Sequence, residues 1–434
     1  SHVWDVDGNE YIDCMGAYGV AITGHRNQRV NNAIKNQIDK IISVHSSFYN
    51  KTRENFLETI LHVAPKNLSN VYLGNSGTEA IEAAIKFSRK YTGKKGMIAM
   101  KGSYHGRTMG SLSLTFNPKY KKSFEPMVEN IQFSEFGNIA DLESKINSET
   151  GFIILEPIQG ESGIHPAPDG FLQQVRKLCD EKNIVLVFDE VQCGLGRTGK
   201  MWACENWNVV PDILCTSKGL AGGIPFSATL TKPEILNSME KGDHSSTFSG
   251  NPLACAASTA TLTALTDDGL IDNAAKIGSL LWSGLEKLKN KHKIIREIRG
   301  KGLMIAIEFE VDVRELLLRA IEQRIIFLFS LYSDKNILRL LPPLVLTEND
   351  VSEILRVLDE IISNEENIQK KINWKVISHD AQISKIITEK ENVDYDEMWE
   401  FSDEIHKILK YNFLINKIKK ETEIAYFLDL FTNA

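Results

Sequence analysis

The chain has 434 residues, enough for two or three domains with a substantial core. An apolar content of 42%, a charged content of 25% and a net charge of −7 are ordinary for a soluble globular protein and argue against a general nucleic-acid binder. Six cysteines without a CxxC pair or a regular framework point to a reducing, cytoplasmic setting, and no apolar run is long enough to span a membrane.

The first residues, Val3 to Asp13, read as a hairpin turning at Asp7-Gly8, followed by a helix from Val30 to Ile42. A chain that opens inside a sheet is expected to lack a leader segment, and no signal peptide is evident. From about residue 50 to 265, apolar strands alternate with helices. Strands are predicted at 71–73, 97–100, 152–155, 184–188, 213–216 and 226–231, and helices at 53–63, 77–92, 170–182 and 252–267. This alternation implies an α/β fold with a mainly parallel sheet, whose ligands sit at the carboxyl ends of the strands. A helix near 269–291, a strand from Gly302 to Phe309, a helix at 312–323, strands at 325–329 and 337–341 and a helix at 348–363 read as a smaller α+β unit. After Ser363 the composition shifts to Lys, Glu, Asn and Ile. Apolar spacing at Ile405, Ile408, Leu409, Phe413, Ile415 and Ile418 predicts a helical extension. The expected division is a segment 1–45 packing with the small domain, a large domain 46–268, a small domain 269–363 and an extension 364–434.

Several motifs carry chemistry. Asn75-Ser76-Gly77-Thr78-Glu79-Ala80 follows a strand and opens a long helix, where backbone N–H groups and hydroxyls suit a phosphate. The plainer alternative is an N-cap with a capping acid. Gly102-Ser103-Tyr104-His105-Gly106-Arg107-Thr108 holds an aromatic able to stack on a planar ring and an arginine able to grip a carboxylate. It is otherwise an ordinary turn, with His105 in a supporting role. Glu156-Pro157-Ile158-Gln159-Gly160-Glu161 follows an apolar strand, and Arg339 lies in another far downstream. The loop His244-Ser245-Ser246-Thr247-Phe248 precedes an Ala-rich helix, and taken alone it reads as a helix-entry loop.

The strongest signal is a pair. Val185 to Phe188 is an apolar strand ending in Asp189, and Ile213 to Ser217 leads into Lys218 and a glycine-rich segment. Alone, the acid reads as a helix cap and the lysine as a solvated loop residue. Together they suit pyridoxal phosphate, whose aldehyde takes a lysine amine as a Schiff base and whose ring nitrogen needs an acid to stay protonated.

These five motifs, in this order from residue 1 to about 363, resemble the class III pyridoxal-phosphate aminotransferases of fold type I. Tyr11 to Cys14, Tyr18 to Ala21, Gly106 to Ser113 and Pro118 to Tyr120 resemble the branch of lysine biosynthesis that acts on substrates tethered to an acidic amino-group carrier protein, and the related acetylornithine enzymes. The resemblance implies pyridoxal 5′-phosphate as cofactor, glutamate and 2-oxoglutarate as substrates, and a homodimer with shared sites. No metal is called for. It implies Lys218 as the Schiff-base lysine and proton shuttle, Asp189 on the pyridine nitrogen and Gln192 on the ring hydroxyl. It places Gly77, Thr78 and nearby Ser76 on the phosphate, Tyr104 on the ring face, and Thr247 on the phosphate of the partner subunit. Tyr18, Arg107 and Ser246 would contact the amino substrate. Arg339 would bind the α-carboxylate of glutamate, with Glu161 neutralising it when the other substrate is bound. Two departures stand out, Phe226-Ser227 in place of smaller residues and Ala306 in place of a common glycine. The alternatives are free N-acetylornithine as substrate, a mutase or racemase on the same fold, or a degenerate scaffold whose tail binds a partner.

Overall fold

The computed structural model describes residues 1–329 and 336–389. Contacts divide the chain into a compact unit, Ser1–Glu366, and a second unit from Asn367 onward. Within the second unit, 367–389 is helical; the apolar spacing from Ile405 to Ile418 lies outside the described residues.

The chain opens on the predicted hairpin, β1 (His2–Trp4) and β2 (Glu10–Asp13), with Gly8 at φ 80° in its turn. Helix α1 spans Gln28–Ile38, earlier at both ends than the 30–42 expected. The Asn27 side chain accepts from Val30 N–H and sets the start, and the Gln37 amide bonds to the Ile41 carbonyl beyond the end. Helix α2 (Lys51–Val63) starts on an equivalent cap, Asn50.

The core of the molecule is a seven-stranded sheet. Its strands are β3 (Asn70–Gly74), β4 (Gly96–Met100), β5 (Ile131–Ser134), β6 (Thr150–Leu155), β7 (Val185–Asp189), β8 (Ile213–Thr216) and β9 (Ser227–Thr231). They lie in the order β3-β9-β8-β7-β6-β4-β5. The sheet is parallel except at β9, which runs antiparallel to both β3 and β8. Strands β6 to β9 are buried along their whole length, which is why the parallel strands β6, β7 and β8 read as largely continuous apolar runs; the antiparallel β9, Ser-Ala-Thr-Leu-Thr, alternates. β5 escaped prediction because it is a half-buried edge strand.

Helix α3 (Gly77–Thr92) turns Ala80, Ile81, Ala83, Ala84 and Phe87 to the sheet and ends at Gly93 in the left-handed conformation. Helices α4 (Phe171–Lys182) and α5 (Pro252–Asp267) fall where the apolar spacing put them. Helix α6 (Leu270–Lys291) leads into a second, four-stranded antiparallel sheet. Its strands are β10 (Ile295–Lys301), β11 (Met304–Phe309), β12 (Leu328–Phe329) and β13 (Ile337–Leu340), in the order β10-β11-β13-β12. β10 was not expected; it carries Arg296, Glu297 and Arg299, and only the fold shows what neutralises them. Helix α7 (Arg314–Glu322) follows β11, and α8 (Glu348–Glu389) runs well past the 348–363 expected. The single strand expected at 325–329 is two pieces in different sheets: Ile325–Ile326 pairs in parallel with β2, and β12 joins β13. All six cysteines are buried and unbridged. Among the described residues no helix is long and apolar enough to cross a membrane, and no cluster of metal-ligating side chains occurs.

Candidate active site

The strand order decides the site. β7 and β8 are parallel neighbours, with Cys215 opposite Asp189, so the acid and the lysine that follow these strands emerge side by side. A cavity of about 280 Å³ opens there, and both Asp189 and Lys218 line it. Ser217 is tied down by donating its hydroxyl to the Phe226 carbonyl at 2.7 Å. Gly219 packs so closely on Ile22 that an added Cβ would lie 2.8 Å from it. Between these fixed points Lys218 adopts φ 42°, a left-handed conformation that L side chains rarely adopt. Burial lowers the Lys218 ammonium below the usual lysine range, opposed by the carboxylates of Glu161, Asp189 and Glu156.

Asp189 and the next residue, Glu190, point to opposite sides of the strand end, and the capping expected of an acid here falls to Glu190. Glu190 is the cap: its carboxylate accepts Ala203 N–H at 2.6 Å and Cys204 N–H at 2.8 Å. Asp189 faces the cavity. Its Oδ1 accepts Val191 N–H at 3.0 Å, and its Oδ2 lies 2.8 Å from Nδ1 of the buried His105. His105 therefore orients Asp189, the supporting role expected of it.

At the phosphate end, Gly77 and Thr78 line the cavity at the N-terminus of α3. Gly77 has no room for a side chain: a Cβ there would meet Val191 Cγ1 at 2.8 Å. Thr78 Oγ1 lies 2.7 Å from Thr108 Oγ1 and 2.5 Å from Ser111 Oγ. Ser76 instead caps the helix, accepting Glu79 N–H at 3.4 Å, as the plainer reading had it. Tyr104 and Gln192 also line the cavity.

At the substrate end, Arg107 donates through Nε to Tyr104 Oη at 3.1 Å and lies 3.9 Å above the Tyr120 ring. Glu161 lines the cavity, and its Oε2 accepts from Nη1 of the fully buried Arg339 at 3.0 Å. The same Nη1 reaches the Gly160 carbonyl at 3.0 Å. The Tyr18 phenol is pushed up by burial and then by the Glu161 carboxylate, with Arg339 opposing, so Tyr18 stands within the field of that pair. Ser246 accepts from Asn75 Nδ2 at 2.9 Å, outside the cavity lining, and Thr247 lies exposed on the same loop.

Two residues were not singled out from the sequence. Tyr120 flanks Arg107. Glu156 ends β6 as Asp189 ends β7, and it lines the cavity. Its two oxygens accept the N–H groups of Tyr104 and Gly160, each at 3.0 Å. Burial holds its carboxyl well above the usual range, with the Asp189 charge adding to it and His105 opposing. The strand-end acid pattern that revealed Asp189 was available for Glu156 too.

The residues present fit pyridoxal 5′-phosphate. A lysine amine, a carboxylate fixed by a buried histidine, and a helix N-terminus with hydroxyls converge on one cavity. The Gln192 Oε1 atom is buried without a hydrogen-bond partner, as an acceptor awaiting a ligand hydroxyl would be. Fold and site define a fold type I pyridoxal-phosphate enzyme. Residues 1–362 match the family model described as aminotransferase class-III, and the chain belongs to that family, making it a pyridoxal-phosphate-dependent transaminase. It is similar to the acetylornithine aminotransferase of Methanopyrus kandleri, 39% identical over 83% of this chain and 92% of that protein. It is equally similar to the [LysW]-aminoadipate semialdehyde/glutamate semialdehyde transaminase of Sulfolobus acidocaldarius, 41% identical over 84% and 94%. Among solved structures, the ornithine aminotransferase of Toxoplasma gondii matches with a TM-score of 0.81 at 30% identity, covering 85% of this chain and 90% of that one.

Proposed function

We propose that this transaminase moves an amino group between glutamate or 2-oxoglutarate and a terminal semialdehyde. The preferred substrate is the carrier-linked lysine or ornithine precursor of the lysine and arginine pathways, in the cytoplasm. The observation that carries the reading is the Glu161–Arg339 ion pair at the cavity wall. Transamination runs two different substrates through one pocket. Glutamate brings an α-carboxylate beside its reacting amine; a terminal amine brings none. A buried arginine without a counter-charge is costly, so an acid that can leave or return lets one pocket take both. A mutase or racemase needs no such pair.

The cofactor supplies a carbonyl for the substrate amine and an electron sink for the bond broken at Cα. The protein supplies the rest. Asp189, held by His105, keeps a proton on the ring nitrogen, and Gln192 meets the ring hydroxyl. Gly77 and Thr78 hold the phosphate, and Tyr104 covers the ring. Lys218, its ammonium destabilised by burial, moves the proton between Cα and the cofactor carbon. Arg107 and Tyr18 hold the amino substrate, and Arg339 the glutamate carboxylate.

The exposed loop carrying Ser246 and Thr247 supports a homodimer in which Thr247 meets the partner's phosphate. Arg53 ties this loop to a second one, bonding the carbonyls of Gly250, Phe48 and Val44. The joined loops expose Phe48, Tyr49 and Phe248 at 66%, 76% and 65%, an apolar surface suited to a second copy. Of the basic residues Arg26, Arg29, Lys119, Lys121 and Lys122, an approach for an acidic carrier would rest on Arg26, Lys119 and Lys122. Arg29 is engaged by Asp268 at 2.6 Å, and the Lys121 amine lies 4.5 Å from the Phe133 ring centre. The division into segment 1–45, domains 46–268 and 269–363 and extension 364–434 belongs to the same reading.

The test is a half-reaction on the cofactor-loaded enzyme, followed by the absorbance of the lysine-linked cofactor. N-acetylornithine is offered in one cell and a carrier-linked lysine in the other. Loss of the band with the carrier-linked amine alone, at a rate that falls with salt, is expected. A response to N-acetylornithine alone sinks the carrier reading in favour of the acetylornithine one.

A further inference from the structure

The register of the small sheet aligns three residues that are far apart in sequence. Arg299 on β10 and Arg339 on β13 both stand opposite Ala306 on β11. Directly paired residues share a face of an antiparallel sheet, so the two arginines flank Ala306 on one side. The methyl group between them is small, and the two guanidiniums reach the same loop, residues 160–163.

Each end of that loop is held by a buried ionisable side chain. At its start, Gly160 N–H donates to Glu156 and the Gly160 carbonyl accepts from Arg339, both at 3.0 Å. At its end, Arg299 Nε donates to the Gly163 carbonyl at 2.9 Å. Arg299 is itself fixed through Nη1 by Glu308 at 2.6 Å and Glu297 at 2.9 Å. Its side chain is 7% exposed, so this is a fastened cation rather than a surface one. Gly163 takes φ 122° and Ile164 φ 56° beside it. A Cβ on Gly163 would meet Ile337 Cδ1 at 2.7 Å and Arg299 Nη2 at 3.1 Å, so the loop approaches the sheet as closely as glycine allows.

We infer that Arg299 is a positioning residue for the Glu161–Arg339 pair. By clamping Gly163 to the sheet that carries Arg339, it keeps the loop backbone still, and Glu161 leaves or regains Arg339 by side-chain rotation alone. The returning carboxylate then finds Arg339 in register each time a substrate without an α-carboxylate binds. Arg299 touches neither substrate nor cofactor in this scheme. The inference rests on the proposed role of the Glu161–Arg339 pair and adds what sets its geometry.

A lysine at 299 keeps the charge but cannot serve Gly163 and Glu308 through a fixed fork. The two half-reactions of the holoenzyme, with glutamate and with a terminal amine donor, are measured for Arg299→Lys, Glu161→Gln and the double variant. Arg299→Lys is expected to lower kcat/KM for the amine donor about tenfold and to leave glutamate within about twofold, the same bias as Glu161→Gln. In the Glu161→Gln background Arg299→Lys should have little further effect, because its target is already gone. Glu308→Gln, which loosens Arg299 and leaves it in place, should show the same bias more weakly.

Equal losses in both half-reactions, or full additivity in the double variant, overturn the inference and leave Arg299 a structural residue. If Glu161→Gln itself shows no bias, the switch reading falls and takes this inference with it. If Glu161→Gln is biased and Arg299→Lys is not, only the role of Arg299 is lost.

Discussion

Gly77→Ala is the sharpest test of how the cofactor end of the cavity is built. The added methyl would sit 2.8 Å from Val191 Cγ1 and 3.2 Å from Val191 Cγ2. Val191 cannot simply retreat, because its N–H is bonded to Asp189 Oδ1 and a shift would pull on the acid that His105 orients. Overpacking of this kind costs about 1–3 kcal/mol, whereas replacing glycine by alanine in a compatible conformation gains only about 0.4–1. The clash wins, and the cofactor-free enzyme should lose about 1–2 kcal/mol of stability. Cofactor affinity should fall as well, since both residues line the cavity. Thermal melts of the apoenzyme and titration of pyridoxal phosphate by absorbance measure both effects. Val191→Ala opens the space, so the double variant should recover stability with a coupling of about 1 kcal/mol. A Gly77→Ala enzyme that melts and binds as the parent does, or a double variant whose losses simply add, would refute the close-packing argument.

Other outcomes follow from buried charge. Burial pushes the Glu190 carboxyl from 4.5 up to about 7 despite the two N–H groups it accepts. The folded state thus holds this proton more tightly than the unfolded chain. The resulting stability is fully present below the unfolded value and lost as pH rises through the folded one, a change of about 3 kcal/mol. Glu190→Gln removes that dependence, so its melting temperature relative to the parent should climb between about pH 5 and about pH 8; a constant difference would count against the shift. Asp212 is buried at the opposite end of β8, where it accepts from Arg176 at 2.9 Å, Lys232 at 2.6 Å and Leu186 N–H at 2.7 Å. Asp212→Ala leaves these donors without their carboxylate and should cost about 3–5 kcal/mol in unfolding experiments. A loss below about 1 kcal/mol would show the cluster to be solvated.

Much of this protein was legible in order along the chain. Parallel strands buried on both faces are largely apolar, so β6, β7 and β8 announce themselves, and helices α3 and α5 show their caps at Ser76 and Asn251. Lys218 and Asp189 were legible only as a pair: alone, each has an ordinary structural reading, and it is an acid and a lysine each closing an apolar strand that together suit one cofactor. Elements at the margins were not legible. α1 stops short of the apolar Ile41 and Ile42, which stay exposed, and β10 hides behind charges whose partners include Glu308 and the 160–163 loop, distant in the sequence or on another strand.

Which side chains meet was decided by the tertiary structure alone. Nothing local says that β7 and β8 are neighbours, that Asp189 faces the cavity while Glu190 turns away, or that Arg339 meets Glu161. The sequence by itself determined the kinds of group standing at the strand ends, because burial and capping act within a few residues. Strand order and register brought those groups together, because they are set by hydrogen bonds and packing between segments far apart in the chain, which no local pattern records.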